Sequence, residues 1–342
     1  MIKKTFWSFI LLLFISSAAI AKDAKYKVKF AHGGPPKALE SPVHATAVGF
    51  KYMLEKRSGG QFEVEIYPSN TLGNEIDHME AIQNNVIQVY MATAAGFHRT
   101  FPPALLLFTP YLFRNADIAM EVIEGPFGDK LKAEFEKKTG LKMLIVAGSY
   151  TYMAITNNKR PIRKPEDLKG LKMRVMDPMG ITMFKSLGAS ATPIAWPEVY
   201  TSLQTGVVDG QTNPTFIVAW AKFNEVQKYM TLANSQWGYQ LLLANKQWYE
   251  SLSPAEKIQV RDATTAARYS GAGMTLLLDE MATNDLIKKG MQVEILSESE
   301  IKAFQDIAGP ACMAWVRKAL GNEWADALVS AIDQAETKLG YK

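Results

Sequence analysis

The chain of 342 residues has one cysteine, Cys312, so it can form no internal disulfide. Its neighbours Ala311, Met313, Ala314 and Trp315 suit a thiol buried in a helix better than a nucleophile. Catalytic signatures are missing: there is no CxxC, no HExxH, no Walker glycine loop and no Gly-x-Ser-x-Gly. The four histidines, His32, His44, His78 and His98, are scattered among different elements, and none follows another at the one-turn spacing of a helical metal site. Asp77-His78-Met79-Glu80 contains ligand-type residues but reads as the polar face of a helix. No block of like charge stands out and the formal net charge is +4, which argues against nucleic acid or polyanions as partners. No metal or cofactor is expected.

Long apolar runs are also missing. Phe6 to Ile15 is apolar apart from Ser8, shorter than the ~20 residues that span a bilayer. Phe101 to Phe113 is broken by Pro102, Pro103 and Pro110. What the N-terminus does have is the order of a secretory signal: Lys3 and Lys4, the apolar run, then small residues ending in Ala19-Ile20-Ala21. Cleavage after Ala21 is expected, giving a periplasmic protein that is not itself membrane-embedded. The remaining chain, roughly 320 residues, is long enough for two domains.

The body of the chain reads as an open α/β sheet. Tyr26–Ala31 alternates as a first strand. Val43–Lys56 has helical spacing, Phe62, Val64 and Ile66 alternate as a second strand stopped by Pro68, and a helix near Glu75–Asn84 precedes a third strand, Val86–Met91. Further strands are expected at Leu141–Ala147, Met173–Met176 and Thr192–Ile194. Helices are expected near Thr182–Leu187 and Glu198–Thr205, with Arg160–Lys172 as a polar loop between strands. The last hundred residues read as helix-rich with one strand, Gln292–Leu296.

Recognition chemistry centres on Arg174. In Lys172-Met173-Arg174-Val175 strand alternation sends its side chain opposite to Met173 and Val175, just before the turn Asp177-Pro178. A guanidinium there can hold a carboxylate with two parallel hydrogen bonds. The same arginine could sit on the surface in a weak salt bridge, and the residues alone favour that alternative.

The string Leu187–Pro214, LGASATPIAWPEVYTSLQTGVVDGQTNP, resembles the extracytoplasmic binding proteins of TRAP transporters, the DctP-type family. NNKRPIRKPEDLKGLKMRV, FNEVQKYMTLAN and EIYPSNTLGNE are similar to other runs of that family, so the resemblance spans most of the chain. It implies a two-lobed periplasmic binding protein fold, α/β, with crossing strands and a long connecting helix. The lobes would be residues 22–150 with 239–279, and 151–238 with 280–342. Arg174 matches the arginine that grips the ligand carboxylate and Asn213 the ligand asparagine. Trp196 and Trp237 stand where the family has large cleft residues, Asp177 follows the arginine, and His32 either contacts ligand or caps the first strand. Asn213 is followed by Pro214, which holds it extended. Two positions depart from the pattern: Tyr152-Met153-Ala154 lacks a second arginine, and Thr212 replaces a common acid.

The function implied is capture of a small organic acid, a monocarboxylate with few other polar groups, for delivery to a TRAP membrane permease. The protein is expected to be a monomer and not an enzyme. A ligand-sensing partner for a membrane receptor and an exported hydrolase or lyase are the alternatives.

Overall fold

The computed structural model describes residues 24–93 and 97–342, and for residues 148–150 the backbone alone. The expected signal, residues 1–21, lies outside them. Two sheets organise the fold. The first has the order β2-β1-β3-β10-β4, built from β1 (Tyr26–His32), β2 (Phe62–Tyr67), β3 (Val89–Thr93), β4 (Leu141–Tyr152) and β10 (Trp237–Asn245). β1 runs parallel to β2 and β3, and β10 runs antiparallel between β3 and β4. The second has the order β11-β9-β5-β8-β6-β7. Its strands are β5 (Ala154–Asn157), β6 (Lys172–Val175), β7 (Ser190–Pro193), β8 (Gly210–Asn213), β9 (Tyr229–Leu232) and β11 (Gln292–Ile295).

The chain passes between the sheets at Met153, linking β4 to β5, and returns through residues 233–236, linking β9 to β10. These two crossings pair with each other: Met153 N–H donates to Gln236 O at 2.8 Å, and Ser235 Oγ donates to Met153 O at 3.0 Å. The helix Pro254–Lys288 makes the third passage, leading from the first sheet to β11. Its 35 residues extend about 52 Å at 1.5 Å per residue. Ser253 and Glu256 close a capping box at its start, with Pro254 at the first helical position. This is the two-lobed α/β architecture with crossing strands and a long connecting helix that the sequence motifs imply.

Several expectations change. β4 runs on to Tyr152, well past Ala147. β5, β8, β9 and β10 are strands that the sequence reading does not include. Lys172, read as loop, opens β6, and the loop before it holds a short helical turn, Pro165–Leu168. Asp77 and Glu80 are exposed, as expected of a polar helix face, but His78 and Met79 between them are buried. The period of the helix turns those two inward onto β3, where the His78 ring packs edge-on to Tyr90. Cys312 is fully buried inside the helix Glu298–Leu320.

The second sheet is tightest at β8. A Cβ on Gly210 would fall 2.1 Å from Thr156 O on β5, so only glycine lets these strands approach. Gly210→Ala should therefore force the strands apart and cost about 1–3 kcal/mol, read as a lower urea midpoint. An unchanged midpoint would show that β5 and β8 can separate freely.

Candidate ligand site

β6 and β8 carry Arg174 and Asn213 into the same region. Met173 and Val175 are buried in the core on one side of β6. Arg174 faces the other side, in register with Gln211 of β8 and Thr192 of β7. The Arg174 side chain is 3% exposed. Its Nε donates to Ile194 O at 2.9 Å, which fixes the plane of the guanidinium. Among the described residues no carboxylate forms an ion pair with it. Burial lowers its pKa to about 10, while Asp177 and Glu75 act at longer range in the opposite direction. The group is therefore cationic at neutral pH, largely dehydrated, and free of a direct counter-ion.

Asp177 is buried and already in use. It is the N-cap of the helix Pro178–Ser186, its Oδ1 accepting from Met179 N–H at 2.8 Å and Gly180 N–H at 3.0 Å. Burial raises its pKa, and the two amides, His98 and Arg174 offset part of that rise. Asp177 thus contributes negative potential beside Arg174 while its own geometry is set by the cap.

The first sheet supplies an opposing polar wall. Glu75 opens the helix Glu75–Gln83, where Asn74 and Asp77 close a capping box. Its Oε1 accepts from Thr93 Oγ1, at the end of β3, at 2.6 Å. Burial raises the Glu75 pKa, and the Thr93 hydrogen bond, Arg174 and His98 counter it. Arg174 on the second sheet and Glu75 beside the first are therefore within electrostatic range of each other, with His98 close enough to influence both Glu75 and Asp177. Glu75, Thr93 and His98 were not singled out from the sequence. The signal for Glu75 was present in TLGNE, where the Asn74 cap fixes Glu75 at the mouth of a helix.

Asn213 is buried, and its Nδ2 donates to Gln211 Oε1. Gln211 Nε2 donates to Thr156 Oγ1, and Thr156 Oγ1 to Gln227 Oε1, each at 3.0 Å. This buried polar ladder, alongside Arg174, orients Asn213 from beneath. Trp196 is partly exposed and packs on Trp220 and Phe223, with ring centroids 5.6 and 5.8 Å away. With Tyr200 and Glu225 these rings line a groove of about 350 Å³. Arg174 and Asn213 are not among the groove's walls, although Trp196 follows Ile194, the arginine's anchor, by two residues. Trp237 is 1% exposed and lies at the start of β10, stacked on Tyr239 and edge-on to Phe113. Its indole nitrogen has no hydrogen-bond partner among the described residues. His32 ends β1 fully buried. Its Nδ1 accepts from Gly34 N–H at 3.1 Å, so its proton sits on Nε2, which donates to His44 Nδ1 at 3.0 Å. Histidines far apart in sequence thus meet in space, and both ring nitrogens of His32 are occupied.

Two sheets joined by paired crossing strands and a long helix are the frame of a two-lobed binding protein, and Arg174 is a dehydrated cation within it. The chain belongs to the bacterial extracellular solute-binding proteins of family 7, the DctP type, whose model matches residues 33–318. It is 32% identical over 324 residues, 94% of each chain, to the 2,3-diketo-L-gulonate-binding periplasmic protein YiaO of Escherichia coli. Its fold matches the sugar acid binding protein DctPAm of Advenella mimigardefordensis in complex with galactonate, with a TM-score of 0.84 at 27% identity, covering 92% of this chain and 100% of that one. A TRAP periplasmic solute-binding protein of Roseobacter denitrificans with bound L-galactonate gives a TM-score of 0.80 at 29% identity, covering 91% and 99%. Among the described residues no helix is long and apolar enough to cross a membrane.

The histidine pair makes stability pH-dependent. Burial, with smaller contributions from His44 and His78, lowers the His32 pKa from its ordinary 6.5 to about 3. Below pH 6.5 the unfolded chain gains this proton and the folded chain does not, so stability is full above 6.5 and falls as pH drops toward 3. His32 alone should remove about 1.4 kcal/mol per pH unit in that window. Urea midpoints between pH 7.5 and pH 4.5 should fall steadily, and His32→Gln should flatten the slope. An equal slope in His32→Gln would show that His32 takes up its proton in the fold.

Proposed function

We propose that this protein captures a small monocarboxylate carrying hydroxyl or oxo groups, of the sugar-acid class, and delivers it to a TRAP membrane permease. The observation that carries the reading is the buried Arg174 guanidinium, which has no carboxylate partner of its own. A bidentate carboxylate would complete it, with the Asn213 amide beside it; Trp196, in the neighbouring groove, would act only at the edge of the site. Glu75 and Thr93 on the opposing lobe change the expected ligand. A carboxylate at the far end of the site repels a second acid and accepts hydrogen bonds from hydroxyls, so a hydroxylated acid fits better than a bare apolar one. The ligands of the related proteins, 2,3-diketo-L-gulonate and galactonate, have this chemistry. Asp177 and His32 act through potential and support, since Asp177 Oδ1 and both ring nitrogens of His32 are engaged elsewhere. Trp237 acts as a buried strut of the crossing.

The reading makes the protein a carrier and not a catalyst, working in the periplasm after removal of residues 1–21. The lobes would divide as residues 22–150 with 239–279, and 151–238 with 280–342. Strand membership supports this division except at the crossings, where 151–152 and 237–238 pair within the first sheet: that sheet takes its strands from residues 26–152 and 237–245, the second from 154–232 and 292–295. The final helix, Asn322–Lys338, also packs on the helix Ala116–Glu124, so it ties the lobes together.

Aldonates, 2-oxo acids and dicarboxylates should be screened by thermal shift, where a ligand selective for the folded state raises the melting temperature. Aldonates should give the largest shifts. Arg174→Ala should then weaken binding of the best acid by about 2–5 kcal/mol in titration calorimetry, and Arg174→Lys should recover little because an ammonium cannot form the fork. Equal affinity in Arg174→Ala would reject the arginine as the anchor, and stabilisation by dicarboxylates alone would reject the ligand class.

A further inference from the structure

Behind the cleft, the carboxylate of Asp279 joins elements that nothing above connects. It lies on the long helix Pro254–Lys288, nine residues before its end. Thr151 Oγ1 donates to Asp279 Oδ2, and Thr215 Oγ1 to Asp279 Oδ1. Phe216 N–H also donates to Oδ1, at 3.3 Å. Thr151 lies near the end of β4, two residues before the crossing at Met153. Thr215 starts the helix Thr215–Trp220, whose own N-cap, Pro214, has no side chain able to cap it. Asp279 therefore supplies that helix end with the negative charge and acceptor its cap position lacks.

We propose that Asp279 is a positioning residue for solute binding: a clasp that holds two passages of the chain to the long helix and so sets the relative placement of the lobes and of Asn213. The inference rests on the two-lobed fold and not on the identity of the ligand. Asn213 stands two residues before Thr215 and is in register with Ala154, three residues after Thr151. One carboxylate thus grips both strands of the pair that carries Asn213, just outside that pair. The long helix packs on β4 and on the helix Thr215–Trp220, and this grip sits within that contact, at the edge of an open space. A cavity of about 330 Å³ lies against it, lined by Thr151, Tyr152, Asn234, Asp279, Glu280 and Thr283 among others. Where side chains do not fill the space, hydrogen bonds to one group control the angle between the passing segments. Removing the carboxylate would leave Thr215 Oγ1 with only the Asp279 backbone carbonyl at 3.2 Å and Thr151 Oγ1 with only the long contact to Tyr152 O at 3.5 Å, and the crossings would gain freedom to rotate.

The test measures interlobe distance without ligand. Spin labels go on Glu63→Cys in the first sheet and Lys185→Cys in the helix after β6, both exposed, in a Cys312→Ala background. Electron double resonance should give one dominant distance for the parent. Asp279→Ala should broaden or shift that distribution. Thr151→Val and Thr215→Val should each reproduce part of the change, and adding either to Asp279→Ala should change nothing more. A merely stabilising role would lower the melting temperature of Asp279→Ala with the distribution intact, which would overturn the proposal. If Asp279→Ala does not fold, the two threonine variants decide: distributions like the parent's in both would overturn it equally. Failure of these variants to move the distance leaves the arginine assignment untouched, because no ligand enters the measurement.

Discussion

A guanidinium taken out of water without a counter-charge is among the more costly arrangements a fold can hold, and the cleft is arranged around one. Arg174 is fixed at Nε by a single backbone carbonyl and surrounded by groups that lower its cost without consuming it. Asp177 contributes charge while its Oδ1 serves a helix cap. Glu75 contributes charge from across the cleft and is tied to Thr93. A direct salt bridge to either would have satisfied the arginine internally and removed the reason to bind an anion. The distant carboxylates offset part of the cost of burying the guanidinium while leaving its fork without a direct ion pair.

The same economy of partners explains the architecture. An anion site between lobes needs both lobes to be held in register, yet able to move, as solute-driven closure requires. Here the passages between sheets are few and hydrogen-bonded to one another at Met153, Ser235 and Gln236. Each lobe has its own sheet and the long helix spans the two. The groups proposed for recognition, Arg174, Thr93 and Glu75, sit at strand ends and helix starts, where rigid backbone fixes their placement.

Much of the fold was legible from the sequence because β1, β2 and β6 alternate and the breaks Pro68 and Gly59-Gly60 punctuate them. β10 was not, for a physical reason. WGYQLLLAN lies mid-sheet with eight of its nine residues buried, so it shows no alternation to read. β8 hid differently: GQTN is wholly polar yet wholly buried, because Gln211 and Asn213 satisfy each other in a ladder that spacing does not reveal. At the site, Arg174 was found through motif likeness; composition and spacing alone favoured a surface residue. Glu75, Thr93 and His98 come from the other lobe, and only the folded chain brings them within range of Arg174.

The central claim is that Arg174 waits for a carboxylate while Glu75 reads the hydroxyls beyond it. A crystal structure of the protein with the acid that stabilises it most tests this directly. The account predicts the acid's carboxylate in two parallel hydrogen bonds to the terminal nitrogens of Arg174, with Asn213 beside it and a hydroxyl donating to Glu75. A carboxylate bound elsewhere, with Arg174 still holding only Ile194, would contradict it.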